Sequence, residues 1–300
     1  MVNIRCVING KDISDKVKEN LVSLTIVDND GVQADTLNMT LSNYIKRPEG
    51  EDTIKLWIDE NYYGVFIVNE TETNDINLLT VSATSVNFHE KLKEKKNRSY
   101  EDTTLKNIIE KIAKEHGLKS AIEFVDIRYD VFVQERESDL HFLKRIADKY
   151  DAIFAIKNNT LIFKKRDAIS KVFTVDINDC KPWSIRHIAR KKYKSCKASW
   201  RSTSENKTKH AIEGSGDPVL NINGDFFSSD DAKLAAKGAL AKSKRQTKEG
   251  HLSKKGEYLS AGSKIKIIGS KQDDGIYTIK TVTTTIDKSN GFRVEVSFEN

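Results

Sequence analysis

The segment from Ser138 to Tyr150 restricts the fold of this chain more than any other. Leu140, Leu143, Ile146, Ala147 and Tyr150 recur at helical spacing with Phe142 alongside, and the stretch runs into an alternating hairpin, Ala152 to Ile156 and Leu161 to Lys165. That spacing predicts an amphipathic helix with one apolar stripe. Ser138 stands at the N-cap position, and Asp139 follows where the helix dipole favours an anion. A capped helix and hairpin, set in a chain patterned elsewhere for strands, predict an α/β element inserted between β regions.

The flanking pattern on the N-terminal side has period two. Val22, Leu24 and Ile26 fall on one side, Asp28-Asn29-Asp30-Gly31 supplies turn chemistry, and Leu37, Met39 and Leu41 alternate again. Alternation of this kind means strands with one buried face. Further strands are predicted over Thr53 to Trp57, Tyr63 to Asn69 and Asn77 to Ser85, so the first 90 or so residues read as an antiparallel sheet or barrel. His89 to Arg98 is polar and basic, and reads as a solvated connector. From Asp102 the period becomes helical: Thr103 or Thr104 caps, Leu105, Ile108, Ile109, Ile112 and Ala113 form the stripe, and Gly117 offers a stop. Ala121 to Val125 and Tyr129 to Val133 are strand candidates.

Period two returns after Asp167. Lys171 to Val175 is one strand, and Lys192 to Trp200 another, with Cys196, Ala198 and Trp200 on one face and Ser195, Lys197 and Ser199 on the other. Arg201 to Pro218 reads as a long polar loop, which in a compact domain means function or disorder. A third helix is predicted over Asp230 to Arg245, with Asp230 and Asp231 at its N-terminus and Lys242, Lys244 and Arg245 at its C-terminus. Gly238 in its middle costs about 1 kcal/mol relative to Ala, which points to something packed closely there. Lys264 to Ile268, Ile276 to Thr284 and Phe292 to Phe298 close the chain as strands. The predicted class is α+β: two β-rich domains, 1–95 and 168–300, each an antiparallel sheet or barrel, flanking a small inserted α/β domain, 96–167.

Several function classes are disfavoured by what the sequence lacks. No apolar run approaches the roughly 18 to 20 residues of a membrane span, and the first ten residues lack the apolar stretch of a signal peptide, so the expectation is a chain made and folded in a cytosol. Cys6, Cys180 and Cys196 are odd in number and form no C-x-x-C pair, which predicts buried, reduced thiols. The six histidines are scattered, with no H-E-x-x-H and no zinc spacing, and no phosphate-binding loop is present. No cofactor or metal is expected, and no enzymatic activity. The competing enzyme reading is a cell-wall glycan hydrolase using a carboxylate pair such as Asp148 with Asp151.

Charge is distributed unevenly. Lys181 to Lys271 carries +13, and the remainder carries −7. Within it, Lys181 to Lys209 holds ten Lys/Arg against Glu205, interleaved with Trp183, Tyr193 and Trp200, a mixture that also suits single-stranded nucleic acid. Against that alternative, period two turns Trp200 to the side of Cys196 and Ala198, hence inward. Arg190, Lys191, Lys192 and Lys194 are therefore taken as candidate oligomer or partner interface residues.

Several segments together resemble one family. Thr25 to Leu37 resembles a first-barrel hairpin, Leu105 to Leu118 and Glu137 to Tyr150 the helices of an insert, and Gly262 to Gly269 with Asp274 to Ile279 the closing strands of a second barrel, in the phage late-control protein D family. That family comprises hub proteins of contractile tails and is similar to the hub part of type VI secretion spike proteins. The resemblance implies a structural subunit with two tube-like barrels, forming a homotrimeric, pseudo-sixfold ring in a virion or phage-tail-like particle. Implied partners are a tail-tube protein, a separate spike protein and other baseplate proteins, with DNA only as cargo passing through the ring. Assembly in the host cytoplasm is implied as well. The family's regulatory name finds no helix-turn-helix pattern here.

Overall fold

A computed structural model describes residues 2–31, 33–43, 46–74, 77–85, 90–166, 171–189, 191–202, 205–245 and 247–300, with the side chains of 90 and 91 outside that description. In chain order the first elements are β1 (Ile4–Ile8), β2 (Lys11–Asp12), α1 (Ser14–Asn20), β3 (Leu21–Asn29), β4 (Thr36–Ser42), β5 (Thr53–Ile58), β6 (Asn61–Thr73) and β7 (Leu78–Thr84). Then come α2 (Glu90–Lys93), β8 (Lys95–Thr104), α3 (Leu105–Glu115), β9 (Lys119–Glu123), β10 (Arg128–Ser138), α4 (Asp139–Tyr150), β11 (Ala152–Lys157) and β12 (Thr160–Lys165). The rest are β13 (Val172–Asp176), β14 (Trp183–His187), β15 (Ser195–Ser202), β16 (Lys207–Gly214), β17 (Val219–Asn223), α5 (Ser229–Lys244), β18 (Lys248–Lys255), β19 (Lys264–Ile268), β20 (Gly275–Asp287) and β21 (Gly291–Glu299).

The chain divides into two compact units. One comprises Met1–Phe88, Ser170–Ile185 and Gly250–Glu299; the other comprises His89–Ile169, Arg186–Glu249 and Asn300. Residues 186–249 thus pack with the central α/β stretch rather than with the closing strands.

Strands of the first unit lie in a thirteen-stranded sheet of order β14-β18-β21-β20-β3-β4-β7-β6-β5-β1-β2, with β19 paired to β20 and β13 to β19. Two cores sit on it. Leu24, Ile26, Leu37, Met39, Ile54, Leu56, Phe66 and Val81 anchor the first, and Val175, Ile265, Ile267, Ile279, Val294, Val296 and Phe298 the second. Among the described residues the strand pairing closes no barrel, and β3 and β20 join the two halves through an antiparallel ladder from Ser23↔Asp287 to Asn29↔Thr281. β20 changes cores as it runs. Gly275 to Thr278 pair with β19, a register shift follows between Ile279 and Thr281, and Ile286 belongs to the first core while Ile279 belongs to the second.

The second unit contains three small sheets: β10-β8, β11-β12-β9 and β16-β15-β17. α3 and α4 form where the stripes predicted them, and the stripe residues Leu105, Ile108, Ile109, Ile112 and Ala113 of α3, and Leu143, Ile146, Ala147 and Tyr150 of α4, are buried. Thr104 caps α3 by accepting from the Asn107 N–H at 3.3 Å, and Ser138 caps α4 by accepting from His141 at 3.2 Å.

Two further readings are corrected. The supposed connector His89 to Arg98 ends inside β8, whose only fully buried side chain is Tyr100. The supposed loop Arg201 to Pro218 contains β16, paired antiparallel to β15 from Ser195↔Gly214 to Ser202↔Lys207. Each strand fully buries a single side chain, Tyr100 in β8 and Ala211 in β16, so neither has an apolar face to alternate, and their pairing is set by the neighbouring strand. Ser195 also departs from expectation. It is buried, and its hydroxyl donates to the Gly216 carbonyl at 2.8 Å.

Candidate functional site

The basic stretch sits between β14 and the start of β15. Lys191, Lys192 and Lys194 are all exposed, and Arg190 lies outside the described residues. Local backbone bonds fix the segment: the Lys194 N–H donates to the Pro218 carbonyl at 3.0 Å, and Ile188 N–H to Thr247 at 2.8 Å. The Lys191 ammonium lies 5.4 Å from the centre of the Tyr193 ring. Neighbouring cations are neutralised, Arg186 by Glu249 at 2.8 Å and Lys209 by Glu205 at 2.5 Å. Among the described residues Lys191, Lys192 and Lys194 have no such carboxylate, so their charge is available to a partner.

Trp200 is turned inward. It is 9% exposed, meets Phe226 edge-on at 6.1 Å between ring centres, and shares its face with fully buried Cys196 and Ala198. α5 packs over β15 and β16 and contributes Ala232, Ala235, Ala236 and Leu240 to that layer. A stacking platform for bases needs an exposed ring, and this one is covered.

A cluster of charges that the sequence did not reveal surrounds Asp139. Its carboxylate is fully buried and accepts from Lys96 Nζ at 2.6 Å, from Gln134 Nε2 at 2.9 Å, from His116 Nε2 at 2.7 Å, and from Arg98. Arg98 also pairs with Glu115 at 2.7 Å. Burial alone would raise the Asp139 pKa; the bonds from His116, Lys96 and Gln134 and the charge of Arg98 overcome it and hold the group at about 2. Glu115, His116 and Asp139 bring their ligand atoms within 4.8 Å of one another. Asp139 is already saturated by two cations and two further donors, which suits a clamp between β8, β10, α3 and α4 better than an additional cation. Lys96 and Arg98 fall in the stretch read as a solvated connector, and only the strand character of β8 turns them toward Asp139.

A second buried carboxylate joins α4 to α5. Asp231 accepts from the Tyr150 hydroxyl at 2.6 Å, from Lys149 at 3.1 Å and from the Phe227 N–H at 3.0 Å, while Tyr150 also meets the Tyr129 hydroxyl at 3.0 Å. Burial, then the neighbouring Tyr129 and Asp231, push the Tyr150 hydroxyl far up, so it stays a donor. Burial lowers the Lys149 pKa, opposed by Asp231.

The carboxylate pair considered for glycan cleavage is committed elsewhere. Asp148 bonds Lys144 at 2.9 Å, and Asp151 accepts from Arg166 at 3.3 Å and from Arg245. Glu137, near the end of β10, pairs with His141 of α4 at 2.9 Å, and Arg145 joins them at 2.5 Å. Burial raises Glu137, but Arg145 and His141 hold it below the ordinary carboxylate range.

These features define a protein built around packing and surface charge, with the fold of phage tail proteins. A 43 kDa tail protein of prophage MuSo2 from Shewanella oneidensis superposes with a TM-score of 0.75 at 12% identity, covering 99% of this chain and 98% of that one. A component of the type VI secretion system from E. coli superposes with a TM-score of 0.57 at 13% identity, covering 93% and 73%. In sequence, the chain is 30% identical over 169 residues to the probable baseplate hub protein of Escherichia phage 186, across 53% of this chain and 43% of that protein. The resemblance to tail hub proteins read from the sequence is borne out by these likenesses. The chain spans less than half the length of that curated relative. Residues 60–269, more than half of the chain, match the family model described as Alg8 N-terminal domain, and the chain belongs to that family. That description and the hub relative name different things. The fold agrees with the prophage tail protein over nearly the whole chain, and the likeness in sequence to the hub relative extends over 53% of it.

Proposed function

We propose that the chain is a structural baseplate hub subunit of a contractile phage tail or phage-tail-like particle, without enzymatic activity or cofactor. Three copies form a pseudo-sixfold ring that joins the tail tube to a separate central spike. The observation that carries this reading is the pair of β cores on one sheet: two cores per chain give a threefold assembly six related surfaces, as a hexameric tube above a trimeric spike requires. The tail-protein fold and the hub relative support it.

In this reading the sequence comprises β regions 1–95 and 168–300 around an insertion at 96–167, of the late-control protein D type. Partners are two further copies, the tail-tube protein, the spike and other baseplate proteins, and DNA passes through the ring only as cargo. The protein assembles in the host cytoplasm and resides in the particle. Lys191, Lys192 and Lys194, with Arg190, contact an acidic partner surface, on a neighbouring copy or on the tube. Sedimentation of the purified protein, alone and with its tube and spike partners, tests the proposal: trimers alone or in complex support it, and a monomer under every condition refutes it.

A further inference from the structure

The first unit carries a pocket that the hub reading does not use. It has a volume of 550 Å³ and opens between α1, the end of β4 and the segment at 46–48. Its floor is aliphatic: Ile8, Ile13 and Leu41 are half-buried there, and each packs against the first core beneath. Its rim is cationic. Lys11, Lys16, Lys46 and Arg47 all line the opening, and all four are exposed.

The acidic side of the rim is weaker. Asp52 is engaged internally, accepting from Asn9 Nδ2 at 2.6 Å and from the Glu49 N–H at 2.9 Å. That leaves Glu19 against the four cations. Among the described residues Lys11, Lys16 and Lys46 have no ion-pair partner, and Arg47 donates to the neutral hydroxyl of Thr73. An apolar floor under unpaired cations fits an amphipathic anion: aliphatic groups displace water from the floor, and carboxylates meet the rim. The volume lies within the range of small-ligand and side-chain pockets.

We propose that this pocket docks an acidic, aliphatic segment of a partner protein, with leucine-like side chains on Ile8, Ile13 and Leu41 and carboxylates on Lys11, Lys16, Lys46 and Arg47. A protein segment fits better than a membrane surface because the aliphatic groups lie on a concave floor, which a flat lipid surface does not reach. The assignment does not depend on the hub reading and applies to the chain in any assembly.

The test uses the full chain and three fluorescein-labelled octapeptides followed by anisotropy: one alternating leucine with aspartate and glutamate, one with serine for each leucine, and one with lysine for each acid. The first peptide is expected to bind, the other two at least tenfold more weakly. Lys16→Glu with Lys46→Glu, both at exposed positions, is expected to weaken the first peptide at least tenfold while leaving the melting temperature unchanged. Raising salt from 50 to 500 mM is expected to weaken binding in the same direction. Equal binding of the serine peptide reduces the site to unspecific charge attraction and overturns the proposal. So does the absence of binding at millimolar peptide, and so does binding to vesicles of anionic phospholipid without binding to the peptide.

Discussion

Gly238 in α5 faces the backbone carbonyl of Tyr150 at the end of α4, so closely that a β-carbon on Gly238 would stand 2.9 Å from the Tyr150 oxygen and 2.8 Å from its carbonyl carbon. Both obstacles are backbone and cannot rotate away. Replacing Gly238 with Ala gains about 1 kcal/mol of helix propensity, but overpacking of a fixed contact costs typically 1–3 kcal/mol. Gly238→Ala is therefore expected to lower stability by about 1 kcal/mol net, read as a lower urea midpoint at unchanged slope. A raised midpoint would show that the two helices separate freely.

Asp139 should dominate the acid response of the second unit. Its folded pKa of about 2 lies below the unfolded value of roughly 3.9, so its contribution is complete above about pH 4 and is lost as pH falls toward 2. The difference amounts to roughly 3 kcal/mol at most. Asp139→Asn removes the fully buried carboxylate of the cluster and leaves Lys96 and Arg98 with Glu115 alone, a loss of about 3 kcal/mol. Urea midpoints at pH 6, 4 and 3 check both points: the wild-type midpoint should fall below pH 4, and the variant should start lower and fall less. Parallel curves for the two proteins would exclude this role.

The contrast between Asp139 and Gly238 shows which features were legible in the sequence. Gly238 was readable because a glycine in a helix interior is a local anomaly, and a local anomaly implies a local cause. The stripe of α3, the cap at Ser138 and the inward turn of Trp200 were readable for the same reason, since each depends on spacing within one element. Lys96, Arg98 and His116 were not, because their partner Asp139 is brought to them by the β8–β10 pairing, and β8 hides its strand character behind charged side chains. The β3–β20 ladder was equally invisible: two period-two patterns far apart in sequence do not state that they pair. Lys191, Lys192 and Lys194 were read as candidate interface residues, and all three stand at exposed positions.

Reversing Lys191, Lys192 and Lys194 to Glu should weaken assembly without unfolding the protein, because all three are exposed and none has an ion-pair partner among the described residues. One molar salt shortens the screening length to about 3 Å, from about 10 Å at 0.1 M, and should reproduce the effect in the wild type. Mass photometry of both samples measures it. Oligomers unchanged by either treatment would mean that these lysines only contact water.

Trp200 separates the structural reading from nucleic-acid binding. Truncating a buried tryptophan to Ala costs typically 3–5 kcal/mol, and that loss of stability is the expected phenotype of Trp200→Ala. At about 50 mM salt, where phosphate contacts are strongest, the wild-type protein is expected not to retain a labelled single strand. Tight binding that falls steeply with salt would instead favour the basic stretch as a nucleic-acid site.

Negative-stain electron microscopy of the purified protein, averaged without imposed symmetry, shows the assembly itself. Rings of three chains with a central opening and six peripheral lobes are expected. Isolated particles of single-chain size at micromolar concentration, with or without the tube and spike partners, would contradict it.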